Sequence, residues 1–367
     1  MRTYKLVCLE GDGISKETVP EALKVLRATE EATPGLHLDL IKFPAGAEYW
    51  NTTGGRMAWP SEARSACQEA DGIFKGPMFE IGDSKTAVLE ILFDFLRNEL
   101  DTYASLRPCR LLPGIESVLT GKKPGDIDFM VVRENTEERY SFIGGCLTRA
   151  GKDEMALDVS VLTRKGCERI IRYAFETAKK RSGAPVDGRR RVTCTCKYGL
   201  IAGDTFFRDV FDDVSTEYPG VEKDAAWIDA WTYWALKRPE FYDVVVTTNQ
   251  YGDIITDMNG AIHGSLGVAS SLCVGDRHAY AEATHGTAPD IAGKGIANPV
   301  SLILSVQMLL GWIGERRSDR ALTAAAQKVE TAVTSILEGG QIRTPDLGGT
   351  SSTQEFGDAI ANKVKAL

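Results

Sequence analysis

The stretch TTNQYGDIITDMNG, residues 247 to 260, follows the apolar run Val244 to Val246 and governs how the rest of the chain is read. A β-strand that ends in a glycine-containing turn and passes into a helix would stack Asp253 and Asp257 on one helical face, because side chains at i and i+4 are neighbours. Two carboxylates so placed repel each other unless a cation lies between them. A hard divalent ion with oxygen ligands, Mg²⁺ or Mn²⁺, suits such a pair. A solvated acidic face, or a helix N-terminus that favours negative charge, accounts for the pair equally well, so the remainder of the chain has to decide.

Outward from this stretch, strands and helices alternate. Lys5 to Leu9 reads as a strand, Gly11-Asp12-Gly13 as a tight strand-to-helix turn, and Val19, Ala22, Leu23 and Leu26 as one face of a helix stopped by Thr33-Pro34-Gly35. Further strands are expected at Ser105–Leu112, Ile127–Arg133, Arg191–Cys196 and Val244–Thr248, with helices at Arg164–Arg181, Phe206–Glu217, Ser301–Trp312 and Ala321–Leu337. This pattern predicts an α/β architecture in two lobes. The expected large lobe is 1–102 plus 264–367, with a cofactor loop; residues 103–263 form the small lobe, with a dimer interface and the metal carboxylates.

With 367 residues, 43% of them hydrophobic and 26% charged, the chain can bury a core in each lobe. A net charge of −8 argues against nucleic acid or an anionic membrane surface as partner, so an anionic substrate needs a local cluster of arginines. The start, MRTYKLVCLEGDGISKE, has too short an apolar stretch for a secretion signal, and no run approaches a membrane span, which makes the cytoplasm the expected location. Eight cysteines without regular spacing read as mostly buried, reduced thiols; Cys194 and Cys196 face one way in a buried strand and lack further zinc ligands. His37, His263, His278 and His285 are scattered.

The chemistry-bearing candidates lie between these elements. Arg97, Arg107 and Arg133 carry planar forks that suit a dicarboxylate or tricarboxylate, although each alone reads as well as a surface ion pair. Lys197, at the end of the strand Val192 to Cys196, is either a lysine reaching solvent or, beside a divalent cation and arginines, a base with a lowered pKa. Tyr140 is a packed ring or a proton donor. The segment HGTAPDIAGKGIANP, His285 to Pro299, is rich in glycine and proline and reads as a ligand loop or a structural Ω-loop. Within it Asp290 would bond the hydroxyls of an adenosine ribose and repel a 2′-phosphate.

In chain order, GDGI at 11, LRNELDTYASLRP at 96, PGDIDFMVVRENTEERYS at 124, Lys197, WIDAWT at 227, YGDIITD at 251 and HGTAPDIAGKGIANP at 285 resemble the β-decarboxylating dehydrogenases, the family of isocitrate, isopropylmalate, homoisocitrate, tartrate and D-malate dehydrogenases. LRPCRLLPG and KPGDIDFMVVRENTE lean towards the tartrate and D-malate branch. The resemblance implies a two-lobed isocitrate/isopropylmalate dehydrogenase-like fold, not a standard Rossmann domain, and a homodimer with shared active sites. It further implies oxidative decarboxylation of a small anionic 2-hydroxy acid carrying a carboxylate at C3, with NAD and Mg²⁺ or Mn²⁺. Isocitrate or homoisocitrate dehydrogenase activity, or a non-catalytic regulatory subunit of the same fold, are the alternatives.

Residue by residue, the resemblance gives substrate binding to Arg97, Arg107, Arg133, Phe93 and Asp94, and proton transfer to Tyr140 and Lys197. Metal binding falls to Asp229, Asp253 and Asp257, with Lys197 and Asp229 supplied by the neighbouring subunit. Glu90, Glu282, His285, Gly286, Thr287, Ala288, Asp290, Ile291 and Asn298 are its cofactor positions. Gly199 stands where the family usually has Asn, and Arg139 where Glu or a similar residue precedes the tyrosine. The stretch AVLEILFDFLR also departs. A carboxylate buried beside an isopropyl group is costly without a partner, so Asp94 weighs against isopropylmalate and equally against a third carboxylate, unless it turns away to pair with Arg97 or Lys85. The expected γ-group is therefore small and polar or hydrogen-bonding.

Overall fold

The structure of the chain, a computed structural model, describes residues 2–78 and 88–367 and divides into two compact units. One comprises residues 1–102, 111–124 and 260–367; the other comprises 103–110 and 125–259. Residues 111–124 and 260–263, which the sequence reading puts in the small lobe, cluster with the unit of the two chain ends. Side-chain ties explain the placement: Arg343 donates to the Gly114 carbonyl at 2.7 Å, and the Ser117 hydroxyl to the Ile262 carbonyl.

The first unit opens with β1 (Arg2–Leu9), α1 (Ser15–Glu31), β2 (Leu36–Phe43), α2 (Ala47–Thr52), α3 (Ser61–Glu69), β3 (Gly72–Lys75) and α4 (Glu90–Glu99). β1 lies between β2 and β3, parallel to both, and Leu6 to Leu9 are fully buried, as a central parallel strand requires. The turn after β1 is built around Asp12, whose carboxylate accepts the Ala47 and Glu48 N–H groups at 2.9 and 2.8 Å and so caps α2. Gly13 in that turn has φ of 60°, and a Cβ there would lie 2.3 Å from the Thr287 carbonyl oxygen. Gly13→Ala combines left-handed strain with a backbone clash, so a loss of at least about 2 kcal/mol is expected in denaturant unfolding. An unchanged midpoint would show that the turn relaxes freely.

The second unit contains β4 (Ala104–Arg110), β5 (Asp128–Glu134), β6 (Gly144–Arg149), β7 (Lys152–Asp158), α5 (Arg164–Lys180), β8 (Arg191–Cys196), α6 (Ala202–Ser215), β9 (Glu222–Trp227), α7 (Ile228–Lys237), β10 (Val244–Thr247) and α8 (Asn249–Ile262). Its strands run β4-β5-β10-β8-β9, with β4 antiparallel to β5 and the rest parallel. Phe129, Trp231 and Tyr242 meet edge-on or tilted on one side of this sheet, and Phe175 stacks between Phe211 and Tyr218. β6 and β7 form a separate two-stranded ribbon whose every residue is exposed.

The chain then returns to the first unit with β11 (Ser270–Val274), β12 (Ala279–Ala283), α9 (Val300–Arg316), α10 (Arg320–Gly339) and α11 (Thr353–Ala366). Strand order in this unit is β2-β1-β3-β12-β11. α9 is apolar almost all round and buried along most of its length, while α10 shows only its Leu322, Val329, Val333 and Leu337 stripe to the core. Asp319 caps α10 by accepting the Ala321 and Leu322 N–H groups, and Ser352 with Glu355 forms a capping box on α11. No helix among the described residues is long and apolar enough to cross a membrane.

Candidate active site

Strand register sets the floor of the site in the second unit. Thr247 of β10 lies beside Arg133 of β5 and Thr195 of β8, and Cys196 lies beside Trp227 of β9. Arg133, Lys197, Asn249 and Asp229 therefore emerge near the carboxyl ends of parallel strands, where α/β sheets place their ligands. The helix of residues 249–262 forms as expected, but not by way of a glycine turn. Thr248 alone separates β10 from α8, and Gly252 falls inside the first turn of the helix. A Cβ at 252 would lie 2.5 Å from Arg133 Cγ, so the missing side chain is where the arginine stem crosses the helix.

Arg133 is almost wholly buried, and its guanidinium is held on several sides. Nε and Nη2 donate to Asn249 Oδ1 at 3.1 and 2.7 Å, and Nη1 donates to Asp253 Oδ1. Tyr140 donates its hydroxyl to Asp253 Oδ2 at 2.9 Å, with its ring 5.5 Å from the guanidinium carbon. One carboxylate thus organises an arginine and a phenol. Arg107, also buried, donates from Nη1 to Thr256 Oγ1 at 3.0 Å on the same helix. Asp257 reaches solvent one turn beyond Asp253. Desolvation by its surroundings pushes its carboxyl above the usual carboxylate range; the Asp253 charge adds to this, while Arg107 and Arg133 oppose it.

Lys197 follows β8, and its ammonium pairs with Asp229 in the first turn of α7 and lies 5.0 Å from the centre of the Trp227 ring. The hydrogen bond from Lys197 holds the Asp229 carboxyl below its usual range. Asp229 does not join Asp253 and Asp257: among the described residues, no three His, Cys, Asp or Glu side chains are grouped as a metal would need them.

The remaining candidates belong to the first unit. α4 is wound with π-type i→i+5 bonds, and the Leu100 N–H reaches the Phe95 carbonyl at 2.9 Å. Such winding recurs at functional positions. It places the Arg97 guanidinium 4.5 Å over the Phe93 ring and its Nε 3.4 Å from the Tyr280 hydroxyl, with Nη1 buried and without a partner among the described residues. Asp94 is exposed, so the burial on which its substrate argument rests is not met, and Arg97 is directed to Tyr280 and Phe93 instead. Lys85, its other suggested partner, lies outside the described residues. Glu90 accepts a long bond from the Trp59 indole at 3.4 Å, and Glu282 is buried in an ion pair with Lys75 at 2.7 Å.

The loop from His285 is tied to its own unit at several points. Ile14 N–H donates to the Thr287 carbonyl at 3.0 Å, Gly293 N–H to Glu17, and Thr353 to the Gly295 and Ala297 carbonyls. Asn298 is buried, donates to Asp346 at 3.0 Å and accepts the Val300 N–H. His285 Nδ1 lies 3.0 Å from the Gly286 carbonyl, its Nε2 is buried without a partner among the described residues, and burial lowers the ring's pKa. Gly286, Pro289 and Asp290 are exposed, Thr287 is buried, and Ala288 and Ile291 are partly covered.

Sequence reasoning missed the residues that orient these groups. Asn249 fixes Arg133; Thr256 fixes Arg107; and Glu138, buried at φ of 69°, accepts the Gln250 N–H at 2.6 Å at the start of α8. An asparagine between a buried strand and a helix was the one visible signal among them.

A profile of the family described as isocitrate/isopropylmalate dehydrogenase matches residues 5–360. The 3-isopropylmalate/3-methylmalate dehydrogenase of Methanocaldococcus jannaschii is 37% identical over 99% of this chain and 99% of its own length. The probable tartrate dehydrogenase/decarboxylase of Bacillus subtilis is 34% identical over 100% of this chain and 99% of its own. Among solved structures, isocitrate dehydrogenase from Methylococcus capsulatus superposes with a TM-score of 0.85 at 32% identity, covering 99% of both chains.

Proposed function

This chain belongs to the isocitrate/isopropylmalate dehydrogenase family and is a decarboxylating dehydrogenase, and from that premise we propose that it acts on a malate-type 2-hydroxy acid with a small polar or hydrogen-bonding γ-group, using NAD⁺ and Mg²⁺ or Mn²⁺. The γ-group rests on the tartrate- and D-malate-named relatives rather than on Asp94, and the observation that carries the reaction is the arrangement on α8. Asp253 and Asp257 stand one turn apart, and the first of them engages both Arg133 and Tyr140.

The residues fit a hard divalent ion. Asp257 sits where desolvation and its neighbour's charge disfavour ionisation, and oxygen donors are the ligands such an ion takes. Asp229 would complete the set from a second copy of the chain. When bound, the ion would acidify the substrate hydroxyl and stabilise enolate charge, and NAD⁺ would accept the hydride. The chain's own residues then have defined tasks. Arg107 and Arg133 would hold the substrate carboxylates. Lys197 of a second copy, once its ammonium proton has passed to solvent and it has parted from Asp229 as the neutral amine, accepts the hydroxyl proton as hydride leaves C2. The resulting β-keto acid loses CO₂, and the Tyr140 hydroxyl donates its proton to C3.

For the cofactor, the buried Nε2 of His285 is an acceptor awaiting a donor, and Asp290 is exposed where it would meet the ribose hydroxyls and repel a 2′-phosphate. Relatives named for isopropylmalate and for tartrate stand at similar identity, so kinetics must choose the substrate. Rates on D-malate, tartrate, isocitrate, homoisocitrate and isopropylmalate with Mn²⁺ are expected to favour D-malate or tartrate, and NAD⁺ over NADP⁺ by at least about tenfold, or about 1.4 kcal/mol. A strong preference for isopropylmalate would refute the γ-group assignment and leave the reaction type standing.

A further inference from the structure

We propose that Asp204 positions Lys197 for proton transfer, an inference that rests on the role given to Lys197 above. Lys197 is the first residue beyond β8, where the sheet no longer holds its backbone. Its N–H instead donates to Asp204 Oδ2 at 2.6 Å, and Cys196 Sγ lies 3.4 Å from the Asp204 carbonyl oxygen. Thr205, the next residue of α6, takes the Gly199 N–H on Oγ1 at 2.9 Å and donates to the Ile201 carbonyl at 2.9 Å. The loop from Lys197 to Ile201 is thus cinched to the first turn of α6 at both amides that point inward.

Asp204 is 4% exposed, and a carboxylate is an expensive group to bury for structural reasons alone. It is not spent on capping α6, since its oxygen is directed to Lys197 N–H, and the neighbouring Tyr251 hydroxyl favours its charged form. A lysine side chain has four rotatable bonds, and only a fixed backbone makes its ammonium position reproducible. Displacement by about 1 Å costs up to about a hundredfold in rate.

The test uses the full-length protein with NAD⁺, Mn²⁺ and its best hydroxy-acid substrate, comparing Asp204→Ala, Asp204→Asn, Tyr251→Phe and Lys197→Met. Asp204→Ala is expected to lower kcat about ten- to a hundredfold with KM within about threefold, and to enlarge the solvent deuterium isotope effect on kcat, because proton transfer becomes slower. Asp204→Asn keeps an acceptor for the Lys197 N–H and is expected to recover to within about fivefold of the native rate. If Asp204→Ala does not fold, Tyr251→Phe removes the hydroxyl that favours the Asp204 charge, at little steric cost, and should show the same isotope signature with a smaller loss. An unchanged isotope effect in these variants, or a native kcat in Asp204→Ala while Lys197→Met is slow, overturns the positioning role alone. A native rate in Lys197→Met overturns the reading of Lys197 and this inference with it.

Discussion

Replacing Lys197 with methionine is expected to slow turnover by at least about a hundredfold while leaving KM and the folded state nearly unchanged, because general-base assistance contributes roughly 10²–10⁴ in rate. Methionine keeps the apolar stem of lysine, and what is lost is the ammonium with its Asp229 pair and its approach to the Trp227 ring. Asp229 loses the partner that holds its carboxyl low, but both groups lie where solvent can compensate. The effect should therefore appear in kcat. Steady-state kinetics at saturating substrate and Mn²⁺ measure it, and near-native turnover would remove Lys197 from the mechanism.

Asp253→Asn is expected to damage binding as well as turnover. The amide can still accept one bond, yet it no longer neutralises Arg133, whose guanidinium is almost wholly buried, and it is a poorer ligand for a hard cation. kcat/KM should fall by about 10²–10³, the range for removing one preorganised electrostatic partner or weakening a catalytic ion. The decisive readout is separate from activity. At about a hundred times its Kd, Mn²⁺ should stabilise the native protein by about 2.7 kcal/mol, raising its melting temperature, and it should raise that of Asp253→Asn scarcely at all. Asp257→Asn should lose the same stabilisation without disturbing Arg133 or Tyr140, which separates ligation from the internal ion pair. Equal Mn²⁺ stabilisation in all three proteins would place the ion elsewhere.

Much of this was legible in the residues because periodicity and helix geometry act locally. The strand from Arg191 to Cys196 and the i, i+4 pair on α8 follow from patterns within about fifteen residues, and both stand in the structure. What the sequence hid depends on partners distant along the chain. Gly252 looks like turn punctuation until Arg133 is seen crossing the helix at that point. Asp94 reads as a buried specificity residue from its place upstream of Arg97 alone; in the structure it is exposed while Phe93 and Arg97 stack. Residues 111–124 lack periodicity, so only the bonds from Arg343 and Ser117 reveal which unit they serve. Asn249, Thr256 and Asp204 escaped notice for the same reason. Each is an ordinary polar residue whose importance lies in the arginine or lysine it holds.

Everything proposed for the reaction depends on a divalent ion between the carboxylates of α8. Anomalous diffraction at the manganese edge, from crystals soaked with Mn²⁺ and D-malate or tartrate, locates such an ion directly. The expected result is a peak within about 2.5 Å of oxygens from both Asp253 and Asp257, with Asp229 of a second copy completing the ligands. An anomalous map without a peak at those two carboxylates, in crystals where the hydroxy acid is bound, would contradict the proposal.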